Sequence, residues 1–255
     1  LPLIERSARG IALTEAGRVL YKRAQGILEL SELTRKEMLA MASGFTGTLH
    51  IGTVSSSGAS LLGWRIPAFH QKYPQIGFAI HEGNTFELME MLESGLIELA
   101  IVRTPFHNDQ LNCLYLSPEP MIAAGAASFF PAGMPSGQPI SLELLGHAPV
   151  ILYRRFEKIL LSLCEQKGIT PQVFCIADDA RTTLMWAEAG LGVAVVPQSA
   201  YRIMPHHNMV YGELSEEDLH TRIAAVCKKG CSLSWAAQQF LEIFAQHPPS
   251  AQTGI

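Results

Sequence analysis

The chain has 255 residues, of which 48% are hydrophobic and 16% charged, and its formal net charge is −4. This composition is typical of a globular protein with a sizeable core, and the length suits two compact units or one large one. No apolar run reaches the roughly 18 residues of a membrane span, and the first ten residues lack the hydrophobic core of a signal peptide. We therefore expect a cytoplasmic protein that does not enter a membrane.

The five cysteines are scattered through apolar segments, and their odd number argues against a disulfide framework. Cys227 and Cys231 frame the segment CKKGC, but no further cysteine or histidine cluster at metal spacing accompanies them. We expect reduced thiols, no metal and no cofactor.

Charge is distributed unevenly along the chain. Residues 1–23 contain five basic and two acidic residues, a net charge of +3, which leaves −7 for the remainder. A basic N-terminal segment attracts nucleic acid or an anionic membrane, and the lack of an apolar face with aromatic anchors favours nucleic acid. A solvated charge cluster without a partner explains the pattern equally well.

The first predicted elements are a turn at residues 7–10, an extended piece at residues 11–13 and a long helix. Thr14 suits the N-cap, and no proline interrupts the next 29 or so residues up to Ser43. A helix about 43 Å long exceeds what a small domain can cover, so it needs a partner. Residues on one stripe recur at spacings of four and three: Leu20, Ala24, Ile27, Ser31, Thr34, Met38 and Met41. This seam predicts pairing with a second copy, and packing on its own domain is the alternative.

The segment LPLIERSARGIALTEAGRVLYKRA resembles the end of the winged helix-turn-helix of LysR-type transcriptional regulators, where a wing leads into a linker helix. The resemblance is carried by Leu3, Ile4, Arg6, Arg9, Gly10, Leu13, Thr14, Glu15, Ala16 and Gly17. The later segments GTLHIG, ELAIVR and GLGVAVVP also fall where that family has them. The resemblance implies that Arg6 and Arg9 contact DNA phosphates, which position a protein without reading sequence. It also implies that the family's recognition helix would lie upstream of Leu1.

The next stretch, GTLHIGTVSSSG at residues 47–58, predicts a strand that runs directly into a helix. Helix N-termini present unpaired backbone N–H groups and the positive end of the helix dipole. Ser55, Ser56 and Ser57 would add hydroxyl donors to an anion site there. A serine N-cap without a ligand is the alternative.

Strands and helices then alternate, which predicts parallel sheets. Asn84 and Glu87 form a candidate capping box, and the strand that follows, residues 99–102, leads into Arg103 and Thr104. Because ligands bind at the carboxyl ends of strands in open α/β sheets, we assign both residues to the candidate site. A surface or ion-pair role for Arg103 is the alternative.

A second unit from residue 118 repeats this pattern. Its predicted strands 150–153 and 173–176 end at Tyr153 with Arg154 and at Asp178, the positions equivalent to those of the first unit. We assign these three residues to the same candidate site. Residues 193–196 predict a buried strand, and residues 221–226 and 233–246 predict a last strand and helix.

The resemblance supplies the overall architecture. It implies an α/β fold in which a long linker helix precedes two periplasmic-binding-protein-like lobes of type 2, with the effector held between them. The expected parts are the wing at 1–13, the linker helix at 14–44, lobe 1 at 45–117 plus 218–255, and lobe 2 at 118–217. It further implies promoter DNA, a small-molecule effector, a homodimer or homotetramer and RNA polymerase as partners. Dimerisation is assigned to Leu20, Ala24, Ile27 and Met38.

Catalysis is not expected, because Walker, GxGxxG, HExxH and GxSxG motifs are missing and adjacent carboxylates such as Asp178 and Asp179 diverge. The arginines and helix starts at the strand ends predict an organic anion as effector, most simply a carboxylate. The alternative function is a solute-binding protein of the same two-lobed fold with no role on DNA.

Overall fold

The computed structural model describes residues 1–7, 10–43, 46–203 and 205–246. The chain begins with an antiparallel hairpin of β1 (Ile4–Ser7) and β2 (Gly10–Leu13), followed by the 29-residue helix α1 (Glu15–Ser43). Thr14 fixes the helix to the hairpin, as its hydroxyl accepts from the Gly17 N–H at 3.0 Å and donates to the Pro2 carbonyl at 2.8 Å. The predicted wing strand, N-cap and long helix are thus present.

The stripe assigned to dimerisation faces solvent along α1. Leu20, Ile27 and Met38 are 51%, 67% and 63% exposed, and Ala24 is half-buried. Large apolar side chains left open on a helix of this length are costly in water. The structure therefore leaves room for a partner along the predicted seam.

The smaller sheet and its helices form lobe 1. Its five strands lie in the order β4-β3-β5-β14-β6, where β3 is parallel to β4 and β5, and β14 is antiparallel to β5 and β6. The elements are β3 (Gly47–Thr53), α2 (Ser55–Lys72), β4 (Ile76–Glu82), α3 (Thr85–Ser94), β5 (Leu99–Arg103), β6 (Leu111–Tyr115), β14 (Ile223–Lys228) and α7 (Trp235–Phe244). Helices α2 and α7 cover one face of the sheet and α3 the other.

The larger sheet and its helices form lobe 2. Its strands lie in the order β10-β9-β11-β7-β12-β8, with the short β13 paired to β7. The elements are β7 (Glu119–Ala126), β8 (Gln138–Ile140), β9 (Pro149–Tyr153), α4 (Arg154–Gln166), β10 (Gln172–Ala177), α5 (Ala180–Glu188), β11 (Val193–Pro197), α6 (Gln198–Tyr201), β12 (Met209–Leu214) and β13 (His220–Thr221). Helices α4 and α5 pack into the same core as β7, β9 and β11.

Two chain segments cross between the lobes side by side. The predicted strand at residues 221–226 is divided there: Thr221 pairs with β7 of lobe 2, whereas Ile223 pairs with Arg103 at the end of β5 in lobe 1. The Thr104 N–H donates to the Arg222 carbonyl at 2.9 Å across the junction. The domain boundaries drawn from the sequence at residues 118 and 218 stay a prediction.

The sequence predicted the order of the main strands and helices, but it missed β6, β8 and β12. Between β8 and β9 the chain forms a 3-10 turn, Leu142–Gly146, capped by Ser141. Within the described residues, no helix is long and apolar enough to cross a membrane.

Replacing either of two glycines by alanine should change the free energy of unfolding, with opposite signs at the two positions. A Cβ on Gly192, just before β11, would lie 2.5 Å from the Pro149 carbonyl oxygen, so Gly192→Ala should lower the free energy of unfolding by about 1 to 3 kcal/mol. A Cβ on Gly63, exposed in α2, meets no described atom within 4 Å, so Gly63→Ala should raise it by up to about 1 kcal/mol. Urea unfolding followed by tryptophan fluorescence measures both changes, and equal effects of the two variants would contradict the packing described for Gly192.

Candidate functional site

Four helices begin at the edge where the two lobes face each other. Helices α2 and α3 follow β3 and β4 in lobe 1, and α4 and α5 follow β9 and β10 in lobe 2. Between them lies a cleft of about 620 Å³. Its described walls are Val54, Glu82, Gly83, Asn84, Thr85 and Phe86 from lobe 1, and Tyr153, Arg154, Arg155, Asp178, Asp179 and Arg181 from lobe 2. The structure thus places the cleft at the carboxyl ends of parallel strands.

Two of the four helix starts are closed by their own side chains. Asn84 accepts from the N–H groups of Phe86 and Glu87 at 2.9 and 3.1 Å, and Glu87 accepts from the Asn84 N–H at 2.8 Å, which confirms the predicted capping box of α3. Asp179 caps α5 by accepting from the N–H groups of Arg181 and Thr182 at 2.6 and 3.3 Å. These two termini have part of their donor capacity already used.

The other two helix starts have no such cap. The N-cap residues of α2 and α4 are Val54 and Tyr153, whose side chains form no capping hydrogen bond, and both line the cleft. The first three N–H groups of a helix have no intrahelical acceptor. The cleft therefore receives one helix start of this kind from each lobe.

The serine N-cap considered for α2 is wrong. Ser55, Ser56 and Ser57 form the first turn of the helix, one to three residues after the N-cap Val54. Their side chains lie outside the part of the structure that is described, so hydroxyl donation toward a ligand stays a prediction.

Arginines and carboxylates alternate along the cleft wall. Arg154 Nε donates to Asp178, both side chains are largely exposed, and this hydrogen bond raises the pKa of Arg154. Arg181 lies 3.1 Å from Asp179 and 3.6 Å from Glu82 across the cleft, and the hydrogen bond to Asp179 raises the pKa of Arg181. With Arg155, the lining carries three arginines and three carboxylates, so the cleft is balanced rather than cationic.

Arg103 lies elsewhere than the sequence suggested. Its side chain is 0% exposed, donates to Glu119 at 2.5 Å and to the Ser199 hydroxyl at 2.8 Å, and so joins the end of β5 to β7 and α6 of lobe 2. Glu119 is held in turn by the Ser199 N–H at 2.7 Å and its hydroxyl at 3.0 Å. The ion-pair alternative describes Arg103 better than an effector-binding role, because the guanidinium is buried in the lobe junction.

Thr104 belongs to the same junction. Its hydroxyl accepts from the Arg222 N–H at 2.9 Å, and its carbonyl accepts from the Thr221 hydroxyl at 3.0 Å. It is not among the described residues that line the cleft. Tyr153, Arg154 and Asp178 do line the cleft, at the ends of β9 and β10 where the sequence predicted them.

Arg155 is a cleft residue that the sequence did not single out. It follows Arg154 in the first turn of α4, is half-buried, and reaches across to lobe 1. The sequence signal was the doublet Arg154-Arg155, but neighbours on a helix point about 100° apart, and only the fold determines which one turns inward.

The structure bears on the metal site and on the DNA contacts considered from the sequence. Among the described residues, no group of three or more His, Cys, Asp or Glu side chains could hold a metal ion. All five cysteines are free thiols, with Cys227 buried and Cys231 exposed. Arg6 lies on β1, but its side chain is outside the described part, as is the whole of Arg9. Their phosphate contacts stay a prediction.

Replacing Arg103 should lower the free energy of unfolding of the chain even when no ligand is present. Arg103→Met leaves Glu119 without its cation, so the free energy of unfolding should fall by about 3 to 5 kcal/mol. The double variant Arg103→Met with Glu119→Leu should recover part of the loss, because it removes both charges. Arg154→Met is the control with an exposed pair and should unfold like the wild type in urea. A wild-type midpoint for Arg103→Met would contradict the network.

Comparison with known proteins agrees with this architecture. The family model described as LysR substrate binding domain matches residues 42–249. The HTH-type transcriptional regulator BudR of Raoultella terrigena is 29% identical over 252 residues, covering 95% of this chain and 84% of BudR. The DNA-binding transcriptional dual regulator OxyR of Escherichia coli K12 is 23% identical over 250 residues, covering 94% of this chain and 79% of OxyR.

Among solved structures, full-length CbnR complexed with its target DNA superposes with a TM-score of 0.69 at 21% identity, over 96% of this chain and 83% of that chain. The predicted fold, a long helix before two periplasmic-binding-protein-like lobes, is confirmed. The relatives are transcriptional regulators, which also confirms that the function is not enzymatic. The chain belongs to the LysR family of transcriptional regulators.

Proposed function

We propose that this chain binds a small organic anion, most simply a carboxylate, in the cleft between its lobes and thereby modulates transcription from promoter DNA. The observation that carries the proposal is the meeting of two helix starts without side-chain caps, at Val54 and Tyr153, on opposite walls of one cleft. Backbone N–H groups at such starts bind anions, and the helix dipole favours negative charge. The hydroxyls of Ser55, Ser56 and Ser57 would add donors on the lobe 1 side.

The balanced charge of the cleft further limits the chemical class of the effector. Arg154 and Asp178 form an exposed pair, which contributes little to stability, so a ligand carboxylate can replace Asp178 at Arg154 without large cost. The Asp178 carboxylate then loses the hydrogen bond from Arg154 and can accept one from another donor. An effector that carries a hydroxyl or amino group beside its carboxylate satisfies both residues, so hydroxy acids and amino acids are favoured over simple carboxylates.

The effector acts by favouring one arrangement of the lobes. Only a difference in affinity between two arrangements shifts their populations, by a factor of ten for each 1.4 kcal/mol or so. We propose that helix α1 pairs with its copy in a dimer or tetramer and passes the change to the DNA-binding heads.

A cytoplasmic location follows from the role on promoter DNA, and contact with RNA polymerase stays a prediction. A solute-binding protein is disfavoured by the hairpin and long helix that precede the lobes.

The effector class is tested by thermal unfolding of the chain with acetate, propionate, lactate, alanine and phenylacetate, each beside the amide in which a neutral group replaces the carboxylate. A ligand that binds only the folded state raises the melting temperature. We expect carboxylates to stabilise and their amides to have no effect. If an amide raised the melting temperature as much as its carboxylate, the proposal of an anionic effector would be wrong.

Asp178→Asn separates simple carboxylates from those with a second donor. Losing the acid frees Arg154, so a simple carboxylate such as propionate should bind several-fold more tightly. For lactate and alanine the charged acceptor becomes the neutral amide oxygen of asparagine, which binds their donor more weakly, so their advantage over propionate should shrink. Titration calorimetry measures both changes, and an unchanged ranking would show that Asp178 does not face the effector.

Dimerisation through α1 is tested by charge. Leu20→Glu with Ile27→Glu places two carboxylates on the proposed seam and should give monomers, because each would be buried against its copy. Gln25→Glu places one carboxylate on the same helix away from the seam and should leave the oligomer intact. Sedimentation velocity distinguishes the species, and an unchanged oligomer in the seam variant would remove this interface.

A further inference from the structure

Arg155 connects the two lobes across the cleft. From the first turn of α4 in lobe 2, its Nη1 donates to the Thr85 hydroxyl at 2.6 Å, at the start of α3 in lobe 1. Its Nη2 donates to the carbonyls of Arg103 and, at 3.1 Å, Pro105. All three acceptors belong to lobe 1 or to the segment that leaves it. One guanidinium therefore holds the cleft wall of lobe 2 against lobe 1.

Arg155 differs in its partners from the other arginines around the cleft. Arg154 is paired with Asp178, Arg181 with Asp179 and Glu82, and Arg103 with Glu119. Within the described part of the chain, Arg155 has only a hydroxyl and carbonyls as acceptors, and its buried Nε has no acceptor at all. Burial lowers the pKa of Arg155, the neighbouring Arg103 lowers it further, and Tyr153 partly offsets this.

A half-buried cation without a carboxylate is an unfavourable arrangement that a ligand can improve. Hydrogen bonds from a charged donor to a carboxylate are shorter and stronger than those to neutral oxygens, and a guanidinium binds a carboxylate with two parallel bonds. Tyr153, Arg154 and Thr85 line the same cleft as Arg155, so an anion held there lies within reach of its side chain.

We propose that Arg155 acts as a latch between the lobes. Its guanidinium binds either lobe 1 or the anionic group of the effector, and the two compete for it. Without effector, it holds Thr85 and the carbonyls of Arg103 and Pro105 and keeps the lobes in the arrangement described. A bound carboxylate takes the guanidinium, and the hydrogen bonds to lobe 1 break. The carboxylate half of this inference rests on the proposed function, whereas the latch itself does not.

The latch is tested without any ligand by amide hydrogen exchange of the full chain. Arg155→Gln should speed exchange at residues 84–88 and 103–106 by at least about tenfold, the factor for losing one charged hydrogen bond. Lys158→Gln, which removes an exposed charge from the same helix, should leave these segments as in the wild type. Unchanged exchange in Arg155→Gln would overturn the latch.

The competition is tested with the carboxylates acetate, propionate, lactate and phenylacetate in titration calorimetry. Arg155→Gln should weaken binding at least about tenfold, and Arg155→Lys less, because it keeps the charge without the fork. Thr85→Val weakens the latch without touching Arg155, so it should tighten binding. Full affinity in Arg155→Gln, or weaker binding in Thr85→Val, would overturn the competition.

These outcomes separate the latch from the proposed function. If Arg154→Gln loses carboxylate binding and Arg155→Gln keeps it, the cleft still binds an anion and Arg155 is not its anchor. If no carboxylate binds the wild type, the anionic effector and the competition both fall. Hydrogen exchange in Arg155→Gln then still decides whether the latch exists.

Discussion

The buried pair of Arg103 and Glu119 is the constraint on which the arrangement of the lobes depends. The guanidinium is 0% exposed and the carboxylate 17%, and Ser199 completes the network with both its N–H and its hydroxyl. Burying a charge is tolerable only when it is paired and hydrogen-bonded, so the two lobes are held together wherever this network forms. It sits beside the two crossing segments, which are hydrogen-bonded to each other. A rearrangement of the lobes costs least if it pivots here and leaves the pair intact. The interactions that can change are then those farther along the cleft wall, such as the bonds from Arg155 to Thr85.

Local signals in the sequence predicted much of the fold. The capping box of Asn84 and Glu87 and the left-handed Gly95 at the other end of α3 both depend on residues within one helix, so the sequence alone could define them. The strands that were missed depend on distant partners. β6 and β12 are only partly buried and are stabilised by pairing with β14 and β7, more than 80 residues away along the chain. Such pairing leaves only a weak pattern in a short segment.

The candidate site shows the same division between local and distant information. The rule that ligands meet the carboxyl ends of parallel strands located Tyr153, Arg154 and Asp178, because β9 and β10 end directly at the cleft. The rule failed for Arg103 and Thr104, although β5 is parallel to β3. The other neighbour of β5 is the antiparallel β14, so the end of β5 meets the crossing segments. No feature of the sequence identifies that neighbour before the chain is folded.

The balance of charge in the cleft affects how an anion would be recognised. Three arginines facing three carboxylates give little long-range attraction, so an incoming anion gains mainly from short bonds made after it enters. Each of those bonds must replace an existing one, either the bond from Arg154 to Asp178 or the bonds from Arg155 to oxygen atoms of lobe 1. Discrimination therefore comes from how well the ligand reproduces the geometry of the partner it displaces, and two anions of equal charge can differ widely in affinity. The same exchange links recognition to movement, because displacing a lobe 1 oxygen from Arg155 breaks a hydrogen bond that joins the lobes. A cleft of uniformly positive charge would bind anions more readily, but their binding would not have to break any bond between the lobes.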